Sequence, residues 1–546
     1  MPWHVTIPGD SYDAARDQFE WDIPKSYNLA YDLVRKHADP GQIALYQAYP
    51  DGRREAYTFH ELDRLSNQLA NGLADLGVER GDRVTVLVPQ KPANLLTHLA
   101  CWKLGAISLP LSKLFGPDAV GYRLRDSEAT VVVGDESVTD VVRAVRDECP
   151  DLQHVVEVDG GDGSVETSFQ EVLAGQPDTF DIVETNADTP AIIIYTSGST
   201  GPPKGALHGH GVWVGHCPAF RMYFEHDVQD AVCWTPADWA WIGALGDLVF
   251  PAWHYGRPVV GYPMGKFDSA TAFSLMEEFG VTDTFLPPTA IRMLMDVESP
   301  TEKYDLSLHA ICSGGEPLTP EILDWAADEL DGVAVNELYG QTEANLLVTN
   351  CRQWFDALPG SMGKPVPGHD VAIVDPETGE ECAVGDVGEI AVRREGNPVL
   401  FKEYWNDPEK TAASRVGPWH LTGDLATRDD EGYIWFKSRD DDLITTSGYR
   451  VGPGEVESAI LEHPDVEQVG VVGVPDERRG EVIKAFVQVK SDVEKREALE
   501  VEIQNLVKEN LAKYEYPREI EFVETLPQTT TGKIQRKELR ERELAN

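Results

Sequence analysis

The sequence predicts an α/β protein: a large N-terminal domain of αβ layers plus a small β-unit, followed by a small α+β C-terminal domain. The first observation behind this is that short apolar runs alternate with helical patterns, as in parallel sheets covered by helices. The second is that apolar residues take a period of two across residues 368–394, between turns rich in glycine and aspartate. The third is length, because 546 residues exceed what one hydrophobic core supports.

The layered pattern is clearest from Arg83 onward. Residues 83–89 are predicted to form a buried strand, an amphipathic helix follows from Ala93, and the next strand begins at Ile107. The same order of apolar strand and turn recurs in segments that begin at Ala129, Pro190, Asp283 and His309.

The pattern is interrupted by polar residues and glycines at residues 438–457. After this point, short strands are predicted from Val466, Lys484 and Arg518, with two helical patterns between them. About 100 residues is a normal size for a domain, so the sequence predicts a separate C-terminal domain.

The charge balance is strongly acidic, with 93 acidic against 47 basic residues and a formal net charge of −46. Acidic residues are spread from Asp10 to Glu543 rather than collected in a tail. Such a surface repels nucleic-acid phosphates and anionic membranes, so neither is expected as a partner. The composition resembles that of cytoplasmic proteins from salt-accumulating microbes, and it predicts a halophilic protein.

Three features predict a cytoplasmic protein without membrane insertion. The seven cysteines are scattered and never spaced as C-x-x-C, which fits a reducing compartment. The first residues lack the basic and apolar segments of a secretory signal. No run of about eighteen apolar residues occurs. These patterns do not predict an oligomeric state.

A loop rich in glycine and hydroxyl groups, Thr196–Gly205, follows the apolar strand that ends at Tyr195. Glycines let backbone N–H groups approach an anion, hydroxyls add donors, and Lys204 adds a positive charge. The segment does not match the standard P-loop. The alternative, a flexible Ser/Gly linker, would not follow an apolar strand or end in Pro-Pro-Lys-Gly. We therefore predict a cradle for the β- and γ-phosphates of ATP.

This loop resembles the signature of the adenylate-forming superfamily, which includes acyl-CoA synthetases, luciferase-like enzymes and peptide-synthetase adenylation domains. Further segments match in the expected order: Leu338–Glu343, Thr422–Asp424, Ser438–Glu457 and Leu526–Arg536. The resemblance implies an N-terminal AMP-binding domain at residues 1–438, a hinge at 439–442 and a small mobile C-terminal AMP-binding-enzyme domain at 443–546.

The resemblance also implies the residues that bind ATP and AMP. They are Thr196, Ser197, Gly198, Ser199, Thr200, Gly201, Lys204, Gly315, Glu316, Pro317, Glu337, Tyr339, Gly340, Gln341, Thr342, Asp424, Arg439 and Lys533. Tyr339 offers an aromatic face for adenine, and Asp424 can accept both ribose hydroxyl protons. A turn aspartate is the alternative for Asp424, because Thr-Gly-Asp is a common turn composition.

The implied catalytic residues are Lys204, Thr342, Glu343 and Lys533. Glu343 is the implied ligand of Mg²⁺, which prefers hard oxygen ligands. Lys533 would bridge the carboxylate and the α-phosphate, whereas an isolated lysine there is usually a solvated charge. Asp441 would be the hinge residue, about which the C-terminal domain turns to exchange adenylation for thiolysis. A solvated loop is the alternative for this aspartate run.

The segments 447–487 and 514–540 look closest to the medium-chain acyl-CoA synthetase branch of fatty acid metabolism. Coenzyme A binding is implied for Ser447, Gly448, Tyr449, Arg479 and Lys508. The alternative for Lys508 is an ordinary surface charge on an amphipathic helix. A glutamine that contacts coenzyme A in this branch is replaced near Leu114.

The acyl pocket is implied to include Trp239, Trp241, Ile242, Gly340 and Arg450. In acetate-specific relatives a tryptophan closes the pocket at the position of Gly340, so glycine leaves room for a longer chain. We therefore expect medium or branched acids to be preferred over acetate. The alternative is plain core, which is the more frequent place for tryptophans at this spacing.

The sequence thus predicts an AMP-forming acid–thiol ligase that uses ATP, Mg²⁺ and coenzyme A: an acyl-CoA synthetase for a medium-chain or branched acid. One alternative is a stand-alone aryl- or amino-acid adenylating enzyme that loads a carrier protein. A luciferase-like oxygenase is another alternative. A third is a nucleotide-binding regulator, which would need neither Glu343 nor Lys533.

Overall fold

The computed structural model describes most of the chain. The described residues are 3–37, 39–159, 167–196, 202–315, 318–439, 442, 444–446, 449–476, 480–490, 497–510, 515–528 and 533–544. The chain forms two compact units: Met1–Val371 with Val392–His420, called the first unit, and Ala372–Ala391 with Leu421–Asn546, called the second unit. The predicted hinge at residues 439–442 falls within the second unit, and its role stays a prediction.

Two sheets form the first unit. The larger sheet contains these strands in spatial order: Lys364–Pro365, Asn345–Thr349, Ala334–Gln341, Ala310–Gly314, Asp283–Phe285, Cys233–Trp234, Val259–Gly261, Ile43–Ala48 and Arg54–Thr58. The other sheet contains Glu403–Tyr404, Lys204–Gly209, Pro190–Thr196, Ile107–Pro110, Arg83–Leu87, Val131–Asp135, His154–Val158 and Thr167–Ser168. The central pairings of both are parallel, as predicted, and antiparallel pairs lie toward their edges.

Two further sheets involve the second unit. One contains Val371–Val374, Gly388–Arg393, Trp419–Arg428 and Arg415–Val416, with Ile434–Arg439 paired to Trp419–Arg428. The other contains Tyr449–Val451, Ile444–Thr446, Gly480–Val489 and Val466–Asp476, with Glu519–Phe522 paired parallel to Gly480–Val489.

Helices cover the sheets. In the first unit the α-helices are Tyr12–Gln18, Phe59–Asp75, Pro92–Leu104, Pro117–Ser127, Thr139–Val145, Phe169–Leu173, Val212–Tyr223, Ile242–Ala244, Phe250–His254, Ser269–Phe279, Pro288–Met295, Pro300–Lys303, Pro320–Glu329 and Pro408–Ala413. Short π-helical segments are Tyr31–Arg35 and Leu245–Val249, and 3₁₀ turns are Glu136–Val138 and Arg146–Glu148. In the second unit the helices are Pro453–Leu461, Glu497–Asn510 and Arg536–Leu544.

Local sequence explains where several helices begin and end. Thr58 and Glu61 form a reciprocal capping box that starts Phe59–Asp75. Gly105, at φ 73°, ends Pro92–Leu104 in the left-handed conformation that glycine adopts without strain. Within the described residues, no helix has both the length and the apolar character needed to cross a membrane.

Candidate active site

The segment predicted to cradle phosphates, Thr196–Gly205, connects two paired strands. Pro190–Thr196 and Lys204–Gly209 are antiparallel neighbours, and Thr196 lies directly opposite Lys204. The apolar residues before Thr196 are buried, so the core fixes the strand that carries the loop. The predicted loop residues Ser197, Gly198, Ser199, Thr200 and Gly201 lie outside the described residues.

Lys204 and Glu343 meet at a residue that the sequence did not single out, Tyr404. The Tyr404 hydroxyl donates to Glu343 Oε1 at 2.7 Å, and Lys204 Nζ lies 5.1 Å from the centre of the Tyr404 ring. The Phe401 amide also donates to the Glu343 carbonyl at 3.0 Å. Because Glu343 and Tyr404 are each only 7% exposed, this cluster is built into the first unit.

The residues predicted to surround adenine lie at the carboxyl ends of two parallel strands. Ala310–Gly314 leads into Gly315, and its neighbour Ala334–Gln341 carries Glu337, Tyr339, Gly340 and Gln341. Ligands of α/β proteins commonly bind at this edge of a sheet. Thr342 and Glu343 follow in a turn, as predicted. Glu316 and Pro317 lie outside the described residues.

Glu337 is a buried carboxyl group on this edge. The Leu318 amide donates to its Oε2 at 3.2 Å. Burial raises the pKa of Glu337 to about 8, and the Leu318 amide only partly opposes this rise. The side chain is therefore protonated, and uncharged, at neutral pH.

Gly340 occupies a place where the backbone of a neighbouring strand comes very close. A Cβ atom at residue 340 would lie 2.1 Å from the Asn345 carbonyl oxygen. Backbone atoms cannot move aside as a flexible side chain can. Any side chain here, including tryptophan, therefore requires a shift of the main chain, and substitution at 340 is not a clean test of pocket size.

In the second unit, Asp424 and Arg439 are brought together on adjacent strands. Their Cα atoms are paired across Trp419–Arg428 and Ile434–Arg439, and Arg439 Nη1 lies 3.1 Å from Asp424 Oδ1. Asp424 is thus a buried strand residue and not a turn aspartate. The preceding Gly423, at φ 75°, donates its amide to Glu389 Oε1 at 2.5 Å.

Lys533 is exposed and lies just before the helix Arg536–Leu544. The basic residues of that helix are paired with acids. Arg536 contacts Glu457 at 2.5 Å and Asp442 at 3.1 Å, and Arg540 contacts Asp442 at 2.6 Å. The helix is therefore paired with Asp442, which belongs to the predicted hinge run. Asp441 lies outside the described residues.

The predicted coenzyme A residues are only partly described. Three of them lie outside the described residues: Ser447, Gly448 and Arg479. Tyr449 lies in the strand Tyr449–Val451, next to Arg450, which is a predicted acyl-pocket residue. Lys508 lies on the helix Glu497–Asn510 with its Nζ 4.1 Å from the centre of the Tyr516 ring. Leu114 is exposed.

The predicted acyl-pocket residues have different environments. Trp239 is fully buried in the main hydrophobic core, in keeping with the core alternative. Trp241 is half-buried and packs edge-to-face on Phe115, with ring centres 5.7 Å apart. Ile242 is half-buried and starts a short helix.

Two family models match the chain. The model described as AMP-binding enzyme matches residues 34–405, and the one described as AMP-binding enzyme C-terminal domain matches residues 455–533. The chain belongs to the AMP-binding enzyme family. The predicted superfamily, the α/β fold and the prediction that the chain is an enzyme are therefore confirmed.

Several members of the AMP-binding enzyme family resemble the chain over most of their length. Acyl-coenzyme A synthetase ACSM4, mitochondrial, of Homo sapiens is 37% identical over 535 residues, 95% of this chain and 91% of the relative. The acetyl-coenzyme A synthetase of Bacillus subtilis (strain 168) is 38% identical over 530 residues, 95% of this chain and 91% of the relative. The crystal structure of the anthranilate CoA ligase AuaEII in complex with anthranoyl-AMP has a TM-score of 0.86 and 30% identity, covering 96% of this chain and 98% of that chain. The chain is thus an AMP-forming acid–thiol ligase, as predicted.

The buried Glu343 carboxylate fits a magnesium ion. Magnesium is usually held by one or two carboxylates together with waters and substrate phosphates. Within the described part of the chain, no group of three or more His, Cys, Asp or Glu side chains could hold a metal alone. A bound magnesium ion would neutralise phosphate charge beside Glu343.

Sequence reasoning missed Tyr404 and Glu389, which hold Glu343 and the Gly423 amide in place. Neither residue lies in a recognisable motif. Tyr404 reaches the site because Glu403–Tyr404 pairs with Lys204–Gly209, a contact between segments about 200 residues apart. Such pairing leaves no local signal in the sequence.

Proposed function

We propose that the chain is an acyl-CoA synthetase that activates a medium-chain or branched carboxylic acid. In the first step a carboxylate oxygen attacks the α-phosphorus of ATP, and pyrophosphate leaves with the electrons of the bond that breaks. In the second step the thiolate of coenzyme A attacks the acyl carbonyl, and AMP leaves with the electrons of the acyl–oxygen bond. The thiol proton passes to solvent.

The observation that carries this proposal is the cluster of Lys204, Tyr404 and Glu343. The ammonium group can bind phosphate oxygens, and the buried carboxylate is held for a cation by the Tyr404 hydroxyl. A regulator that only binds a nucleotide has no need of this carboxylate. Preorganised charges of this kind stabilise a transition state without reorganisation.

The second unit would supply the remaining nucleotide contacts. Asp424 is a buried acceptor, suited to the ribose hydroxyls, and Arg439 adds donors beside it. Lys533 would neutralise the charge that develops between the acid and the α-phosphate. Ser447, Gly448, Tyr449, Arg479 and Lys508 would contact coenzyme A, and their roles rest on the family resemblance.

An aromatic acid is a second candidate substrate. The anthranilate CoA ligase match and the aromatic pair Phe115–Trp241 favour it, because aromatic side chains pack well on an aryl ring. A longer aliphatic acid rests on the family resemblance alone, in which acetate-specific relatives carry a tryptophan at the position of Gly340. Differences of one methylene in such pockets are worth only ~1–3 kcal/mol, so several acids should react.

The test is a substrate panel with the purified full chain, ATP, Mg²⁺ and coenzyme A in molar KCl. Acetate, butyrate, hexanoate, octanoate, isobutyrate and benzoate cover both candidate classes. We expect acid-dependent AMP and an acyl-CoA thioester, with acetate a poor substrate. AMP formation or pyrophosphate release without thioester would instead indicate a carrier-loading enzyme. No acid-dependent reaction would indicate a regulator.

We further propose that the enzyme works in a salt-rich cytoplasm. The formal net charge is −46, so the carboxylates of the protein repel one another at low salt. At ~1 M salt the screening length falls to ~3 Å, which weakens this repulsion. Activity and the thermal midpoint should therefore both rise between 0.1 and 2 M KCl. Activity that is highest at low salt would contradict this.

A further inference from the structure

A cavity of about 350 Å³ lies in the first unit, apart from the predicted site residues. None of the predicted nucleotide, coenzyme A or acyl residues lines it. Its walls come from residues 394–403, from the hairpin that carries Arg415 and His420, and from Asp188. Ligand pockets are commonly ~300–1,000 Å³, so this one is large enough for a small molecule.

Two arginines line the cavity without an acidic partner. Arg394 Nη2 donates to the Gly417 carbonyl at 2.9 Å, and Arg415 Nη2 donates to the Lys402 carbonyl at 2.7 Å. The Nε atoms of both arginines are buried without a hydrogen-bond partner within the described residues. Neither guanidinium forms an ion pair with a carboxylate in that part of the chain. Each therefore keeps donors for another acceptor.

His420 is a third polar group in the wall, and it is only 1% exposed. It lies opposite Arg415 across an antiparallel pair, so both side chains leave the hairpin on the same face. Neither ring nitrogen has a hydrogen-bond partner among the described residues. Burial, with the charges of Arg415 and Arg394, lowers the pKa of His420 to about 3, while the Ser414 backbone acts weakly in the opposite direction. The neutral ring can donate one N–H to a ligand.

The charged groups that line the cavity carry a net positive charge. Lys402 and Asp188 form an ion pair with each other at the rim. Glu403 is exposed. Burial and the charge of Arg394 lower the pKa of Arg415, and the opposing effect of Glu403 is smaller. Three cations against two carboxylates make a positive cavity in a protein whose net charge is −46.

We propose that this cavity binds a small oxyanion, a molecule bearing a carboxylate or phosphate group, through Arg394, Arg415 and His420. Guanidinium groups match the oxygen geometry of both anions and bind them with paired hydrogen bonds. Binding would satisfy the buried Nε and imidazole donors, which are otherwise costly to leave unpaired.

The cavity is connected to the predicted magnesium ligand through one wall residue. The Phe401 ring lies 5.1 Å from the Tyr404 ring and 5.0 Å from the His420 ring, centre to centre. The Phe401 amide donates to the Glu343 carbonyl, and the Tyr404 hydroxyl donates to the Glu343 carboxylate. An anion bound in the cavity would therefore lie one side chain away from the residues that hold Glu343.

The experiment titrates inorganic phosphate into the full-length protein by calorimetry, with KCl adjusted to constant ionic strength. AMP is present at saturation so that the nucleotide site is occupied. We expect saturable binding that Arg394→Gln and Arg415→Gln each weaken by about tenfold, the loss of one charge-assisted hydrogen bond. Arg393→Gln is the matched control, because Arg393 adjoins Arg394 in sequence but pairs with Asp370 and does not line the cavity.

Succinate is titrated in the same way to tell the two sources of oxyanion apart. Tighter binding of succinate identifies a carboxylate ligand, and tighter binding of phosphate identifies a phosphate ligand. Either result supports the site. The absence of saturable binding by both would overturn the proposal, as would equal weakening by Arg393→Gln. If Arg394→Gln does not fold, Arg394→Lys keeps the charge without the paired donors and should still weaken binding. Unchanged affinity in Arg394→Lys and Arg415→Gln would also overturn it.

Discussion

The two regions that carry the predicted catalytic residues are built in opposite ways. In the first unit, half-buried Lys204 lies beside buried Tyr404 and Glu343 in a cluster that strand pairing and core packing hold in place. In the second unit, Lys533 is exposed, and the helix that follows it is held by ion pairs to Asp442 and Glu457. The first arrangement suits groups that bind phosphate and metal throughout the reaction. The second suits a group needed in only one of the two steps.

The largest expected effect tests whether Lys533 serves one step only. Lys533→Ala should lower adenylation by ~10²–10³, the typical loss of one preorganised donor to a developing charge. Thioester formation from supplied acyl-adenylate should persist. Pyrophosphate release and thioester formation are measured separately, with Lys537→Ala on the following helix as the control. Equal loss of both half-reactions would remove the distinction between the two regions.

The next effect concerns the ion pairs of the second unit. Burial alone would lower the pKa of Arg536, but Glu457 and Asp442 more than offset this and raise it. Arg536→Gln leaves two partly buried carboxylates without this partner, so we expect a loss of ~2–3 kcal/mol in the free energy of unfolding. Urea unfolding followed by circular dichroism measures it.

Arg542→Gln is the matched control for that substitution. Arg542 lies on the same helix, but its pair with Glu521 is largely exposed, so its loss should cost ~0.5 kcal/mol or less. Similar costs for the two substitutions would show that packing, and not the Asp442 pairs, holds the helix.

Much of the layered architecture could be predicted because local signals agree with the final structure. The apolar run before Thr196 became the strand Pro190–Thr196, and the helix predicted from Ala93 is Pro92–Leu104. The predicted strand at residues 83–89 ends earlier, at Leu87, before Pro89. Proline lacks the N–H that continuing a ladder requires.

The contacts between distant segments could not be predicted. Ile43–Ala48 lies parallel to Val259–Gly261 although the two are more than 200 residues apart. Tyr404 reaches Glu343 through a similar long-range pairing. Motif order identified Glu343 and Asp424, because each lies in a recognisable segment. Tyr404, which donates to Glu343, and Glu389, which accepts from the Gly423 amide, are placed by tertiary structure alone.

A third prediction tests the burial of Glu337 on the strand Ala334–Gln341 of the first unit. The pKa of Glu337 is raised from 4.5 to about 8 in the folded protein, so the folded state holds a proton that the unfolded state releases above pH 4.5. This contribution to stability is complete below about pH 4.5 and declines until the pH passes about 8. The free energy of unfolding of Glu337→Gln, measured relative to wild type, should therefore rise by roughly 2–4 kcal/mol as the pH increases from about 4.5 to about 8. Thermal midpoints from pH 5 to 9 measure this, with exposed Glu321→Gln as the control. Parallel pH profiles for wild type and Glu337→Gln would contradict the burial argument.

The smallest effect tests how Tyr404 supports Glu343. Tyr404→Phe removes one hydrogen bond to a carboxylate, and we expect the Mg²⁺ concentration for half-maximal rate to rise about tenfold. The maximal rate at saturating Mg²⁺ should change much less. Tyr255→Phe is the control, because its buried hydroxyl donates to the Val5 carbonyl instead. An unchanged Mg²⁺ requirement would show that Tyr404 does not position the carboxylate.

The central claim is that the cluster in the first unit holds ATP while a carboxylic acid takes its adenylyl group. Exchange of labelled diphosphate into ATP reports this step alone, without coenzyme A. In molar KCl with Mg²⁺, the wild-type protein should exchange label only when an acceptable acid is added. Folded protein that exchanges no label with any acid of the panel, or that exchanges it equally without acid, would contradict the claim.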